Sequence, residues 1–167
     1  NFRQQPMVSY SIQALSSVAS ELFVNANRNI EQYQVFGLPV ISDVDSDFSG
    51  PLAGVYAAML QAEHSVLVVM PCDSPFMSAE ALQALVDARA ALGADIAVAF
   101  DGERIQPVFM ALKTVLKEDL QAYLAKGERK IDRWFEGHHC ITVDLSAYPD
   151  CFSNINSLAE LSEWEAE

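Results

Sequence analysis

Asp73 has the setting of a residue that could take part in catalysis. It follows an apolar run at residues 65–70 and lies between Pro71 and Pro75, which restrict the local backbone. A carboxylate held at the end of a buried strand is a suitable ligand for Mg²⁺ on a nucleotide phosphate, because Mg²⁺ usually takes one or two carboxylates together with phosphate oxygens. The alternative is that Asp73 merely caps a turn, since aspartates are common where the strands of α/β proteins end.

A second group of acidic residues precedes a glycine-containing segment. Asp43, Asp45 and Asp47 lie between a predicted strand and the sequence G-P-L-A-G at residues 50–54. Asp43 is nearest to the strand end and is the strongest candidate of the three, although alternating acids in a loop are often only solvated. The small residues and free N–H groups at 50–54 would allow an anion or a base to approach a helix start. Their alternative role is close packing of a helix on a sheet.

Asn25 ends the first predicted strand of the chain. An amide at this place can bind the edge of a purine or a ribose hydroxyl. It can also complete a turn by bonding to the backbone, and the residue type alone favours that interpretation.

The few basic residues are unevenly placed, and five of the ten lie in polar loops or beside them, namely Arg28, Arg104, Arg129, Lys130 and Arg133. The chain has ten Lys and Arg residues against 23 Asp and Glu residues, so their placement is informative. Arg104, together with Arg129 and Lys130, could form a local anion site for a phosphate. A solvated helix end is the alternative for each of them. Cys72 has no histidine near it in sequence, so we interpret it as a packing residue and do not expect zinc.

Helices and strands alternate along the chain and must position these residues. Helical spacing and propensity predict helices over residues 6–19, 30–36, 52–63, 78–92, 115–126, 129–135 and 157–164. Apolar runs bounded by turn residues predict strands over residues 21–25, 38–41, 65–70, 95–100, 106–112 and 141–145. This alternation predicts a three-layer α/β fold with a mostly parallel sheet. Ligands of such sheets lie beyond the carboxyl ends of the strands, where Asn25, Asp43 and Asp73 are all predicted to be.

Length, charge and cysteine content restrict the class of protein. A chain of 167 residues suits a single domain, residues 1–167. Its formal net charge of −13 makes nucleic acid a poor partner, although divalent cations can bring nucleotide phosphates to carboxylates. The longest apolar run is too short to cross a bilayer, and the first ten residues lack the features of a secretory signal. Three cysteines without a C-x-x-C pair indicate a reducing cytoplasm rather than a disulfide framework.

Short motifs spread over nearly the whole chain carry a resemblance to one enzyme family. They are V-N-A-N-R (24–28), G-L-P-V-I-S-D (37–43), G-P-L-A-G (50–54), P-C-D-S-P (71–75), D-G-E-R-x-Q-P (101–107), G-E-R-K (127–130) and F-S-N-I-N (152–156). P-C-D and G-P-L-A-G together indicate a nucleotidyltransferase. With G-E-R-K and N-I-N added, the chain resembles the molybdenum cofactor guanylyltransferases specifically.

The resemblance implies a fold, a reaction and a set of site residues. The fold is a Rossmann-like nucleotidyltransferase fold, and the reaction transfers GMP from GTP to molybdopterin with Mg²⁺ as cofactor and pyrophosphate as the leaving group. By resemblance, Asp73 is the catalytic residue and binds both the nucleotide and the magnesium. The implied GTP-binding residues are Asn25, Asp43, Asp73, Gly50, Pro51 and Leu52, and the implied molybdopterin-binding residues are Arg104, Gln106, Pro107, Arg129, Lys130, Asn154 and Asn156. A cytoplasmic enzyme in transient contact with cofactor-synthesis and acceptor molybdoenzymes is implied, with no role for nucleic acid or membranes.

One feature of that family has no counterpart in the sequence. The family begins with a strand and a glycine-rich loop whose amides and lysine hold the triphosphate, and residues 1–7 match the stretch after that loop. We expect the strand and loop to precede the sequence, because a sheet without its central strand would leave a slot lined by unpaired backbone groups. Two alternatives remain open. One is a related nucleotidyltransferase that uses CTP or acts on a sugar phosphate, and the other is a noncatalytic module that binds molybdopterin or nucleotide.

Overall fold

The computed structural model describes residues 5–44 and 50–153. The α-helices in these ranges are α1 (Met7–Ser16), α2 (Ile30–Gln34), α3 (Pro51–Gln61), α4 (Ala79–Ala91), α5 (Lys117–Ala125) and α6 (Ile131–Phe135). Short 3₁₀ helices occur at Thr114–Leu116 and Pro149–Phe152. Each helix predicted in the described ranges is present, with ends shifted by a few residues. The helix predicted over residues 157–164 lies outside the described residues, as do the candidates Asn154 and Asn156 and the acidic residues Asp45 and Asp47.

The strands form two sheets. They are β1 (Val24–Asn25), β2 (Val40–Ile41), β3 (Val66–Val69), β4 (Ile96–Phe100), β5 (Ile105–Lys113) and β6 (Cys140–Asp144). β1 and β2 pair in parallel, and the other strands form a sheet of order β3-β5-β4-β6. All strands predicted in these ranges are present.

The expectation of a mostly parallel sheet is wrong, because the sheet is mixed. β5 lies between β3 and β4 and is antiparallel to both, whereas β4 and β6 are parallel. The physical reason is the connection between β4 and β5. It runs from Asp101 to Arg104 and contains no helix, and so short a turn can join only antiparallel neighbours.

The expectation of three layers is confirmed by apolar cores on both faces of the larger sheet. On β4, Ile96 and Val98 pack with α3, α5 and α6, while Ala97 and Ala99 pack with α1 and α4. The two sets of residues face opposite sides of the sheet because successive side chains of a β-strand point in opposite directions. Alanines on one face let α4 lie close to the sheet.

Helix α4 starts directly after the turn that carries Asp73. The Ser78 hydroxyl accepts a hydrogen bond from the Ala81 N–H at 3.1 Å and so caps the helix. Ala81, Leu82 and Leu85 are fully buried and hold the helix against the sheet. These contacts anchor the turn between β3 and α4. Within residues 5–44 and 50–153, no helix is long and apolar enough to span a membrane.

Candidate active site

Asn25 and Asp43 are brought together by the pairing of β1 with β2. The register places Val24 beside Val40 and Asn25 beside Ile41, and parallel strands end at the same edge. Asn25 Nδ2 donates to Asp43 Oδ1 at 3.0 Å and lies 3.3 Å from the Ile41 carbonyl oxygen. Two candidates that are 18 residues apart in sequence therefore form one polar cluster.

Asn27 joins the same cluster. Its Nδ2 donates to Asp43 Oδ2 at 2.7 Å, and its Oδ1 accepts from the Asp43 backbone N–H at 2.9 Å. Ser42 Oγ donates to the Ala26 carbonyl at 2.9 Å and fastens the two loops further. The Asp43 carboxylate is thus held from both oxygens, and its direction is set by two asparagine side chains.

The start of α3 lies against Asn25. Gly50 has a φ of 89°, in the left-handed region that favours glycine, and Pro51 takes the first helical position. Gly54, one turn further, is in such close contact with Asn25 that an added Cβ would collide with Asn25 Oδ1 and lie 3.0 Å from Asn25 Cγ. Leu52 is fully buried in the core, so only its backbone can face a ligand.

A cavity of about 510 Å³ lies between β1 and β3. Of the candidate residues, Asn25, Pro51 and Asp73 line it. Its other walls are mostly apolar and come from α1, β3 and α3. In the described part of the chain β1 pairs only with β2, and β3 pairs only with β5, so both strands turn an unpaired edge toward this space.

Asp73 lies at the end of this cavity in the turn after β3. The turn is fastened to α1, where the buried Ser11 hydroxyl donates to the Pro71 carbonyl at 3.1 Å. Among the described residues the Asp73 carboxylate forms no ion pair, so it is available to a cation. Cys72 is exposed rather than packed, which corrects its interpretation from the sequence. Although the residue is exposed at the cavity wall, neighbouring atoms partly shield its thiol from water, and this desolvation, followed by the charge of Asp73, raises the pKa of Cys72.

The residues around Asp73 fit a magnesium ion that arrives with a nucleotide. In the described ranges no group of three or more His, Cys, Asp or Glu residues is arranged to hold a metal. A single carboxylate is a poor site for a metal on its own. It suits Mg²⁺ that takes its remaining ligands from phosphate oxygens and water.

Arg104, Gln106 and Pro107 lie on the hairpin between β4 and β5, which is organised by Asp101. Asp101 Oδ1 accepts from the backbone N–H groups of Glu103 and Arg104, both at 2.8 Å, and Oδ2 accepts from Gln106 Nε2 at 2.6 Å. These hydrogen bonds, led by the one from Arg104, lower the pKa of Asp101 from 3.8 to about 2. The Arg104 side chain is 79% exposed and can reach a ligand.

The hairpin is at the same edge of the sheet as Asp73. β3 runs antiparallel to β5, and Val69 at its end is opposite Met110. Beyond Val69 the chain runs on to Asp73. Because β3 and β5 are antiparallel, this direction leads toward Ile105, the first residue of β5. The larger sheet therefore presents Asp73 and the hairpin with Arg104 and Gln106 at one edge.

Arg129 and Lys130 lie elsewhere, in the turn between α5 and α6. Asp119, near the start of α5, accepts from Trp134 Nε1 at 2.9 Å and lies 3.0 Å from His138 Nε2, so the start of α5 is joined to the end of α6. Arg129 Nη1 donates to the Leu124 carbonyl at 2.8 Å and caps α5, while Lys130 is exposed. Arg129 therefore has a structural role in addition to any role toward a ligand.

Sequence reasoning missed several residues that hold the candidate site in place. Asn27 had a signal, since it follows Asn25 at the two-residue spacing that puts extended residues on one face. Asp101 had a weaker sequence signal, because the dipeptide Asp-Gly at 101–102 is typical of a turn. Ser11 and the contact of Gly54 with Asn25 had none, because each depends on segments far apart in sequence.

The three-layer α/β fold, with polar side chains where its strands end, is shared with solved structures of other proteins. Molybdopterin-guanine dinucleotide biosynthesis protein A from Archaeoglobus fulgidus has this fold, with a TM-score of 0.80 and 18% identity over 99% of this chain and 86% of that chain. So does 2-C-methyl-D-erythritol 4-phosphate cytidylyltransferase from Thermus thermophilus, with a TM-score of 0.74 and 18% identity over 99% of this chain and 90% of that one. The model of the MobA-like NTP transferase domain matches residues 1–141, and the chain belongs to that family.

Within this family, the chain is similar in sequence to curated molybdenum cofactor guanylyltransferases. The molybdenum cofactor guanylyltransferase of Shewanella loihica is 42% identical over 153 residues, which cover 92% of this chain and 78% of that protein. The molybdenum cofactor guanylyltransferase of Shewanella woodyi is 41% identical over the same shares.

Proposed function

We propose that the protein transfers GMP from GTP to molybdopterin, forming molybdopterin guanine dinucleotide and pyrophosphate. The observation that carries the proposal is that Asn25 and Asp73 line one cavity and that Asn25 is hydrogen-bonded to Asp43, in a chain with about 42% identity to a molybdenum cofactor guanylyltransferase. A base-binding cluster and a metal-binding carboxylate at one place are what nucleotidyl transfer needs.

The guanine nucleotide is assigned to the cluster of Asn25 and Asp43. A carboxylate accepts from two neighbouring N–H donors, and the guanine edge offers such a pair in N1–H and the 2-amino group. The start of α3 lies beside the cluster, where the backbone N–H groups of Gly50 and Leu52, though not Pro51, and the helix dipole favour negative charge. This side of the cavity thus has an acceptor for the base and donors for a phosphate.

Asp73 is assigned to the phosphates and to Mg²⁺. Mg²⁺ bound there would neutralise charge on the phosphate oxygens and on the departing pyrophosphate. Asp73 is suited to this because its turn is anchored on both sides, by Ser11 through Pro71 and by the capped start of α4. An anchored carboxylate loses little freedom when it binds.

Molybdopterin is assigned to basic and amide residues that lie outside the cluster of Asn25 and Asp43. Arg104, Gln106 and Pro107 on the hairpin supply one part, and Arg129 and Lys130 on the α5–α6 turn supply another. Asn154 and Asn156, which lie outside the described residues, belong to the same assignment by resemblance. In a chain with a net charge of −13, exposed cations are the places where an anionic acceptor can bind.

The chemical step is an in-line displacement at phosphorus. An oxygen of the terminal phosphate of molybdopterin forms a bond to the α-phosphorus of GTP, and the bond from that phosphorus to the bridging oxygen of the β-phosphate breaks. The electron pair leaves with pyrophosphate. An ionised phosphate nucleophile needs no general base, so the side chains contribute positioning and charge neutralisation.

The cavity between β1 and β3 is assigned to one further strand. In residues 5–44 and 50–153, β1 and β3 each have an unpaired edge beside this mostly apolar space, and an extended segment there would satisfy the backbone groups of both. The strand and glycine-rich loop with which the family begins would fill this place and bring the amides that hold a triphosphate. The proposal includes a cytoplasmic location and transient contact with acceptor molybdoenzymes, both by resemblance.

A radiolabel assay tests the proposal. The full-length enzyme is incubated with Mg²⁺, molybdopterin and GTP labelled at the α-phosphate, and label should enter molybdopterin guanine dinucleotide. Unlabelled CTP should not compete. Transfer from CTP in place of GTP would show that the protein is a cytidylyltransferase. No transfer from either nucleotide would favour the alternative of a noncatalytic binding module.

A further inference from the structure

Asn27 makes a two-point contact with Asp43 that the backbone does not require. The loops after β1 and β2 are already joined by the hydrogen bond from the Ala26 N–H to the Ile41 carbonyl at 2.9 Å and by Ser42. The amide of Asn27 adds one bond to the Asp43 carboxylate at 2.7 Å and one from the Asp43 N–H at 2.9 Å. Both bonds end on the same residue, so their effect is to orient Asp43.

The orientation leaves acceptor capacity on both oxygens of Asp43. A carboxylate has about four lone-pair sites. Asn25 uses one on Oδ1 and Asn27 uses one on Oδ2. Among the described residues these two asparagines are the side chains that donate to the carboxylate, so one site on each oxygen remains for two donors of a ligand. The guanine edge supplies two such donors in N1–H and the 2-amino group, whereas adenine and cytosine place an unprotonated ring nitrogen there.

We infer that Asn27 is a positioning residue for base selectivity, acting through Asp43. The inference rests on the proposed assignment of Asp43 to guanine. Without Asn27, the side chain of Asp43 can turn about its χ angles, and the two acceptors no longer stay in the plane of the base. A rotated carboxylate can still accept a hydrogen bond from a single N–H of the base, but it cannot accept from N1–H and the 2-amino group together.

The test compares GTP with ITP, which keeps N1–H but lacks the 2-amino group. In the full-length enzyme, Asn27→Ala should raise the KM for GTP about tenfold, the effect of losing one hydrogen bond to a charged group. The ratio of kcat/KM for GTP over that for ITP should fall by a similar factor. We expect kcat to change by less than about twofold and the KM for molybdopterin to stay the same, because Asn27 stabilises base binding rather than the transition state.

Two further variants sharpen the test. Asn27→Asp keeps the shape of the side chain but places a second carboxylate against Asp43. This variant should lose at least as much of the preference for GTP over ITP as Asn27→Ala does. Asn29→Gly is the matched control. Asn29 lies two residues away with φ of 54°, where glycine is tolerated, and its side chain makes no capping hydrogen bond. It should behave as wild type.

The outcomes separate this inference from the assignment on which it rests. A variant that merely folds poorly lowers kcat for both nucleotides equally and leaves their ratio unchanged, which would overturn the role of Asn27. If Asp43→Ala keeps the wild-type preference for GTP over ITP, the assignment of Asp43 itself fails. If Asp43→Ala loses the preference and Asn27→Ala keeps it, the assignment stands and only the inference fails.

Discussion

Gly54 and Asn25 are in such close contact that helix α3 leaves no room for a side chain at this point. A Cβ on Gly54 would collide with Asn25 Oδ1 and would lie 3.0 Å from Asn25 Cγ. Gly54 is inside a helix, where alanine is favoured over glycine by about 1 kcal/mol. The glycine therefore lowers helix propensity, and the space that it leaves is occupied by an amide of the candidate nucleotide site.

Replacing Gly54 with alanine should separate stability from binding. The added methyl group meets the end of a side chain, which can rotate away, so we expect Tm to change by no more than about 3 °C. The rotation breaks the bond from Asn25 to Asp43, and the KM for GTP should rise about tenfold. Gly137→Ala is the control, because a Cβ there meets only the Trp134 carbonyl at 3.6 Å. A normal KM in Gly54→Ala would exclude a role for Asn25 in nucleotide binding.

Asp73→Asn should nearly abolish guanylyl transfer without unfolding the enzyme. Loss of a carboxylate that holds a metal on the phosphates should cost several kcal/mol of transition-state stabilisation, on the order of a thousandfold or more in kcat. Asp87→Asn on α4 is the matched control, since Asp87 is exposed and accepts a hydrogen bond from Gln83 Nε2 at 2.8 Å, away from the cavity. Wild-type turnover of Asp73→Asn at saturating Mg²⁺ would remove Asp73 from the mechanism.

Lys130 and Arg129 should give different results when each is replaced by alanine. Lys130 is exposed, and its loss should raise the KM for molybdopterin about tenfold while leaving stability and the KM for GTP unchanged. Arg129 also caps α5 through the Leu124 carbonyl, so Arg129→Ala should in addition lower the free energy of unfolding by about 1 kcal/mol. Lys117→Ala, at the opposite end of α5, is the control. Weaker GTP binding with normal molybdopterin binding would reverse the assignment of this turn.

The hairpin at Asp101 should lose stability in acid. The folded-state pKa of Asp101 is lowered from 3.8 to about 2, so its ionised form is stabilised by folding. Its contribution to stability is complete above the usual pKa and is lost as pH falls from about 4 through about 2. At pH 7 we expect Asp101→Ala to unfold at lower urea concentration than wild type, with the difference closing as the pH approaches 2. A difference that stays constant over this range would show that Asp101 acts without its charge.

The 167-residue chain by itself should bind GTP weakly or not at all. Its seven glycines are scattered, and none forms a glycine-rich loop that could hold a triphosphate. Titration calorimetry of this chain with GTP in the presence of Mg²⁺ measures the dissociation constant directly. Tight binding would mean that the start of α3 and the turn at Asp73 suffice to hold the phosphates.

The sequence alone determined the elements and the placement of the main candidates. Periodicity, apolar runs and turn residues act over a few neighbours, and so they predicted every α-helix and strand in the described ranges, although not the 3₁₀ helix at Pro149–Phe152. The same local signals put Asn25, Asp43 and Asp73 at strand ends. The ordered motifs then identified the family, which the matching family model over residues 1–141 confirms.

The tertiary structure decided what depends on segments that are distant in the chain. It placed β5 between β3 and β4 and paired β5 antiparallel with the distant β3, because strand order follows from packing and not from local propensity. It brought Ser11 to Pro71, 60 residues away, and so anchored the turn at Asp73. It placed Gly54 against Asn25, and Asn25 and Asn27 on one carboxylate. Such contacts form only when folding brings the elements together, and no pattern of neighbours along the sequence encodes the distance between them.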